Sequence, residues 1–464
     1  MKTTMISLAV LALLGGCAMG PDYQRPALDM PKQIGQVDAT SQSASLPAIK
    51  WENYFTDPAL TPLIRDALAN NRDLRVAVAR VEEARALYGI QRADQLPTFN
   101  ANGAAAASRV PGSLSSTGSE AINHRYDANL GLLSYELDFW GRVRRLSEAA
   151  QANYFASEAA QKSFRSGLIA DVVSGYYAAQ ALSEQLAFSR KTEVARAETL
   201  RLVQRRLDVG VAGRLELLEA QTALEAAQTI SAQLAKQKDN ARHALSVLIG
   251  RVVADDELIS GDATLLEKRP LPLAIPAGLS SEVLLGRPDV EQAEQQLVAA
   301  NANIGAARAA FFPKVTLMGS AGSASAELGD LFKSGSGAWS FLPTVSMPIF
   351  DGGRTQSGLD LAEARKVGAV ASYEKTVQVA FREVADVLSD QQWLAAQLEA
   401  QQRLIRSQSA RMDLAERRYK DGLTNYLEFL IAQRDYFTSQ QTLIEARRAR
   451  LTVAAQAYKA LGGE

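Results

Sequence analysis

From Leu217 onward, Leu217, Ala220, Leu224, Ala227, Ser231, Leu234, Lys238, Ala241, Leu245 and Leu248 recur in alternating steps of three and four. That spacing puts one stripe on a helix face and predicts a coiled-coil seam. The stripe returns as Phe429, Ala432, Tyr436, Ser439, Leu443, Ala446, Arg450, Val453, Ala457 and Ala460, with a basic residue at the same register. A different period occupies two other regions. Trp339, Phe341, Pro343, Val345, Met347 and Ile349 alternate with Ser340, Leu342, Thr344, Ser346 and Pro348, and Val315, Leu317, Gly319 and Ala321 alternate with Lys314, Thr316, Met318 and Ser320. Period two predicts strands with one apolar face. Earlier in the chain, Tyr135, Leu137 and Phe139 flank Glu136 and Asp138, with an Ala-rich partner over Leu96 to Ser108. Polar, turn-rich loops at 109–123 and 323–338 join each strand pair.

Proline placement sets the helix lengths. No proline lies between Pro111 and Pro270, and none follows Pro348. Those intervals predict helices over 142–208 and 354–420, each 67 residues and about 100 Å long at about 1.5 Å per residue. Each stops at a glycine, Gly210 or Gly422, and restarts at once. Glycine suits the left-handed turn that ends a helix, so 208–213 and 420–425 read as hairpin tips. The shorter helices, roughly 59–94 and 214–249, can stack end to end to match one long helix.

The pattern is duplicated. Asp73, Arg92, Ala93 and Pro97 align with Asp289, Arg308, Ala309 and Pro313 at a separation of 216. Ser134, Arg142, Arg205, Arg206, Gly210, Leu215, Glu216, Ala220, Gln221 and Gly250 align with Ser346, Arg354, Arg417, Arg418, Gly422, Leu427, Glu428, Ala432, Gln433 and Gly462 at 212. One insertion in a turn-rich loop accounts for both offsets. The expected organisation is a signal over 1–16, an extended segment over 17–58, a first repeat over 59–250, a linker over 251–285 and a second repeat over 286–464. The strand pairs fall at about 96–108 with 126–139 and about 313–324 with 338–350. Strands of about 9 to 11 residues suffice to cross an outer membrane. Closing a barrel takes about eight strands, and an open sheet in lipid leaves edge groups unpaired. Three copies sharing twelve strands would resolve this, with their helical hairpins merged into one tube.

Charge and chemistry narrow the function. Lys+Arg 50 against Asp+Glu 51 gives a net charge of −1, which argues against a nucleic-acid binder. One cysteine and two histidines, His124 and His243, leave no disulfide and no soft-ligand metal site. Both histidines read as loop and helix-surface residues, and no cofactor motif is present. No Gly-x-Ser-x-Gly elbow, P-loop or His-Glu-x-x-His motif supports an enzyme. The cysteine is informative: Lys2, an apolar run from Met5 to Leu14, and then Leu14-Gly15-Gly16-Cys17 match a bacterial lipoprotein signal with lipid expected on Cys17. Ala18, where Asp favours inner-membrane retention, points to the outer membrane. No later apolar run is long enough for a transmembrane helix.

Four segments resemble one known family. Cys17-Ala18-Met19-Gly20-Pro21-Asp22-Tyr23, Ser134-Tyr135-Glu136-Leu137-Asp138-Phe139-Trp140-Gly141-Arg142, Gly286-Arg287-Pro288-Asp289-Val290 and Pro348-Ile349-Phe350-Asp351-Gly352-Gly353-Arg354 are similar to the TolC-type outer-membrane efflux channels. They are closest to the OprM-like or NodT-like lipoprotein branch. The resemblance covers essentially the whole mature chain. It implies a mainly α fold with membrane β: a homotrimer with a periplasmic α-barrel and a shared twelve-stranded β-barrel, four strands per chain. It implies docking to a periplasmic adaptor served by an inner-membrane pump of the RND type. Val209-Gly210-Val211 and Asp421-Gly422-Leu423 resemble the family's adaptor-docking tips. Glu216, Glu219 and Glu428 fall where relatives carry acids near a closed entrance, although a glutamate one turn into a helix also suits the helix dipole. Ile431 replaces an acid in Leu430-Ile431-Ala432-Gln433-Arg434, and Thr424 stands where some relatives carry Arg. Three readings follow: a drug-efflux duct, an exit duct for type I protein secretion, and a nonconducting periplasmic coiled-coil scaffold. The lipoprotein head favours efflux over secretion, and the strand pairs disfavour the scaffold.

Overall fold

The computed structural model describes residues 19–28, 30–34, 50–114, 118–258, 265–270, 275–276 and 278–463. The first repeat contains α1 (Leu60–Asn70), α2 (Arg72–Ala93), β1 (Phe99–Val110), β2 (Ala121–Leu137), α3 (Arg142–Asp208) and α4 (Arg214–Ile249). The second contains α5 (Pro288–Ala309), β3 (Lys314–Ser325), β4 (Gly337–Ser346), α6 (Arg354–Lys420) and α7 (Tyr426–Ala460). The two long helices, α3 and α6, have 67 residues each, with the bounds that proline placement predicts. Among the described residues no helix is long and apolar enough to cross a membrane.

Several boundaries differ from expectation. The helix expected over 59–94 is broken at Asn71, whose ψ of 129° leaves the helical region. Its side chain explains the break: Oδ1 accepts from the Leu74 N–H at 2.8 Å, and Nδ2 donates to the Leu248 carbonyl at 2.8 Å. β2 ends at Leu137 rather than Phe139, because the Asp138 carboxylate accepts from the N–H groups of Val143 (3.1 Å) and Arg144 (2.8 Å) and starts α3. β4 stops at Ser346, so Met347, Ile349 and Phe350 lie outside the strand. Pro348 removes a ladder donor there, and Asp351 caps α6 through Gly353 (3.0 Å) and Thr355 (2.8 Å). β1 starts at Phe99, two residues after Pro97. His124 lies within β2, not in a loop, while His243 is exposed on α4.

The strands form one antiparallel sheet in the order β1-β2-β3-β4. Cross-strand register sorts their side chains. Asn102 faces Asn129 (3.4 Å), Arg125 pairs with Asp127 along β2, and Ser320 meets Ser340 (2.8 Å), all on one face. Phe99, Ile122, Leu130, Leu132, Trp339 and Phe341 occupy the other. A sheet with one polar and one apolar face suits a wall between water and lipid. Its outer strands, β1 and β4, each leave an edge unpaired within the chain.

Two compact units cut across the repeats. Of the described residues, one takes those within 19–27, 80–158 and 292–374, and so holds the sheet with the adjoining parts of four helices. The other takes 28–79, 159–291 and 375–464. Its main core gathers Trp51, Phe55, Leu60, Ile64, Tyr176, Leu245, Ile249 and Tyr458. Of the expected seams, Ala220, Ala227, Ser231, Leu234 and Leu245 are buried on α4, as are Phe429, Ala432, Ser439, Leu443, Ala446, Val453, Ala457 and Ala460 on α7. Arg450 is the departure, being exposed within the chain.

Candidate functional site: the paired hairpin tips

Both long helices end in the same hydrogen-bond pattern. At the end of α3 the Val211 N–H reaches the Arg206 carbonyl (2.8 Å) and the Gly210 N–H reaches Leu207 (2.9 Å). After α6, Leu423 reaches Arg418 (2.8 Å) and Gly422 reaches Tyr419 (3.1 Å). These paired bonds satisfy carbonyls that the helix leaves open and need a left-handed residue between them. Gly210 (φ 77°) and Gly422 (φ 73°) supply it. A Cβ at either would meet nothing within 4 Å, so backbone conformation, not crowding, requires glycine. The restarts differ: Asn425 caps α7 by accepting from the Glu428 N–H at 3.1 Å, whereas α4 starts from Gly213 with no side-chain cap.

The tips carry apolar side chains on the surface of the single chain. Val209 (73 %), Val211 (64 %), Leu215 (71 %) and Leu423 (69 %) are largely exposed, the charged Asp421 is exposed, and Leu427 is half-exposed. Directly beneath, Tyr419, Tyr426 and Phe429 pack with Val203, Ala220, Ala415 and Ala432. Tyr419 and Phe429 stack with ring centroids 5.9 Å apart, and the Arg206 guanidinium lies 4.9 Å from the Tyr419 ring centre. The Tyr419 hydroxyl donates to the Glu216 carboxylate, tying α6 to the first turn of α4. Burial and this bond both push the Tyr419 hydroxyl well above the ordinary tyrosine range, so it remains a donor through neutral pH. Burial also moves Tyr426 up to about 12.

The four residues expected at the entrance are arranged unequally. Glu216 is held by Tyr419 across the two hairpins. Glu428 accepts from Thr424 and lies 3.8 Å from Arg418, both on its own hairpin. Glu219 and Ile431 are half-buried, and the charge of Glu219 acts on Tyr426. Two functional candidates escaped the sequence analysis. Tyr419 is one; its only sequence signal is that Leu207 occupies the equivalent place in the first repeat. Arg196 is the other: buried on α3, it donates to the Ala223 carbonyl (2.6 Å) on α4 and to Gln433 Oε1 (3.2 Å) on α7. Both of these partners are neutral, and burial lowers its pKa. Cys17 lies outside the described residues. Among those residues no His, Cys, Asp and Glu cluster could hold a metal.

A sheet polar on one face and apolar on the other, joined to two very long helices that end in exposed apolar turns, defines a subunit of an outer-membrane channel. The chain belongs to the outer membrane efflux protein family, whose model matches residues 63–251 and 279–463. It is 43% identical over 470 residues to the probable efflux pump outer membrane protein TtgC of Pseudomonas putida, covering 100% of this chain and 96% of that one. It is 40% identical to the outer membrane protein OprJ of Pseudomonas aeruginosa, covering 99% and 95%. Among solved structures, the open state of the Neisseria gonorrhoeae MtrE outer membrane channel matches with a TM-score of 0.85 at 38% identity, covering 96% of this chain and 98% of that chain. The protein is thus an efflux channel subunit of the outer membrane with a large periplasmic helical part, and a transport protein rather than an enzyme. Its fold class is that of the outer-membrane efflux channels: mainly α, with one four-stranded antiparallel sheet per chain.

Proposed function

We propose that the chain is the passive exit duct of a tripartite efflux system, receiving small molecules from an inner-membrane pump through a periplasmic adaptor that docks on the hairpin tips. The observation that carries this reading is the pair of glycine-ended tips presenting Val209, Val211, Leu215, Leu423 and Leu427 to solvent. Exposed apolar residues clustered on a turn cost solubility unless a partner covers them. Relatives are described as an antibiotic efflux component and a toluene efflux component, both from Pseudomonas putida, which favours small organic cargo. In this reading Cys17 carries the lipid, and Glu216, Glu219, Glu428 and Ile431 surround the periplasmic entrance. The Tyr419–Glu216 bond supports a resting state in which the two hairpins of each chain are held together.

Photo-cross-linking residues at positions 211 and 423 test the docking. Each should capture the adaptor in cells. Gly210→Val or Gly422→Val should lower efflux while trimer yield stays near that of the wild type. Labelling of positions 211 and 423 by membrane-impermeant reagents added outside intact cells would contradict the topology.

A further inference from the structure

Residues 19–25 follow one face of α5 within the sheet-bearing unit. Those made to α5 run in order along the helix, from Gly305 through Asn301 to Glu294, and the others reach Trp140 and Arg145. The Met19 N–H donates to the Trp140 carbonyl (3.3 Å), and the Pro21 carbonyl accepts from Asn301 Nδ2 (2.8 Å). Asp22 lies 3.6 Å from Arg145. The Tyr23 hydroxyl donates to Glu294 Oε1 (3.0 Å), and Arg25 forks onto both Glu294 oxygens at 2.8 and 2.9 Å. Asn301 is buried beneath this segment.

Two lengths agree. From Glu294 to Gly305 is about 16 Å of helix at about 1.5 Å per residue. From Gly20 to Arg25 is about 16 Å of extended chain at about 3.3 Å per residue. The register is also blocked against slipping. A Cβ on Gly20 would lie 2.6 Å from Gly305 Cα, and one on Gly305 would lie 2.6 Å from the Met19 carbonyl oxygen. So close an approach of the two backbones needs glycine on both sides.

The far end of this segment reaches the foot of the sheet. Trp140, which accepts from Met19, stacks on Phe312 at 4.8 Å and donates its indole N–H to the Pro313 carbonyl at 2.9 Å. Trp140 sits where β2 passes into α3, and Phe312 where α5 passes into β3. Cys17 is two residues beyond Met19, within about 7 Å of chain.

The geometry points to residues 19–25 as a ruler that fixes the depth at which an acylated Cys17 enters the periplasmic leaflet, level with the foot of the sheet. Glu294 and Gly305 are its positioning residues. The inference rests on the acylation of Cys17 put forward above. A loose tether would let the lipid insert anywhere within its reach, whereas a docked one directs the membrane attraction of the acyl chains to the strand ends.

Spin labels test it in the full-length protein, reconstituted in vesicles of phosphatidylethanolamine and phosphatidylglycerol. A label at Gln24→Cys reports docking, and one at Ala18→Cys reports depth through its accessibility to oxygen and to a polar relaxant. The wild-type background should give an immobile label at 24 and a single depth at 18. Glu294→Ala should raise the mobility at 24 by about threefold or more, as for a segment released to nanosecond motion, and should spread the depth at 18. Arg25→Ala, altering a half-exposed side chain, should reproduce both effects without risk to the fold. An unchanged depth at 18 beside a mobile label at 24 overturns the ruler. Mass spectrometry of the amino-terminal peptide separates the two claims. A lipid-free wild-type peptide overturns acylation and with it the ruler's purpose, even if the label at 24 is immobile.

Discussion

At the tips, single residues divide into those that shape the backbone and those that join helices. Gly210 and Gly422 belong to the first kind: space is open around them, yet their positive φ would cost a side-chain-bearing residue about 1–2 kcal/mol. Gly422→Val should therefore lower the melting temperature only slightly, readable by circular dichroism, while reducing drug extrusion several-fold. Tyr419 belongs to the second kind. Tyr419→Phe keeps the stack on Phe429 but frees Glu216, a loss on the order of 1 kcal/mol. The expected outcome is greater uptake of large antibiotics in cells lacking the adaptor, with trimer yield unchanged; wild-type impermeability in that variant would remove the bond from the gate. The glycines and Glu216 were legible because the repeat shows them twice. Tyr419 and Tyr426 were not, since Leu207 and Arg214 take their places in the first repeat, and Phe429 was legible only as a seam position, not as part of an aromatic cluster. Arg196 was equally silent, because a basic residue in a long polar helix reads as solvated until its neighbours in space are known.

Among elements, the long helices were the most legible. Missing prolines and terminal glycines act locally, and both 67-residue spans came out at the expected bounds. Boundaries set by side-chain capping were harder to read. Asn71 carries no glycine or proline signal, yet it ends α1 and starts α2 by bonding Leu74 and Leu248. Asn71→Ala should cost about 1–2 kcal/mol, seen as a lower midpoint in chemical denaturation of the solubilised protein; no change would show that packing alone maintains the break. The strand ends were misplaced for the same reason. Alternation continues through Phe139 and Ile349, but Asp138 and Asp351 turn the chain into helices before the pattern stops.

For the whole molecule, duplication was visible in the sequence, whereas the division into compact units was not. Each unit collects matching parts of both repeats, so sequence neighbours on one long helix belong to different cores. An open four-stranded sheet with two free edges calls for partners in a membrane, and three copies would turn six free edges into internal pairings. Cys17→Ser should abolish lipid incorporation yet leave trimers detectable by native mass spectrometry, because the barrel itself holds the protein in the bilayer. A wild type that stays monomeric in detergent at high concentration would refute the shared barrel. In the duct proposed above, the acids of the tips ring the entrance. Conductance of the purified trimer in planar bilayers tests it most directly, with Glu216→Gln and Glu428→Gln combined. Carboxylates facing one another around a narrow opening favour cations. The wild type should thus be cation-selective and blocked by divalent or trivalent cations, and the double variant should lose part of both properties. Unchanged selectivity and block would place these carboxylates on the outer surface of the tips and leave the entrance without an acidic ring.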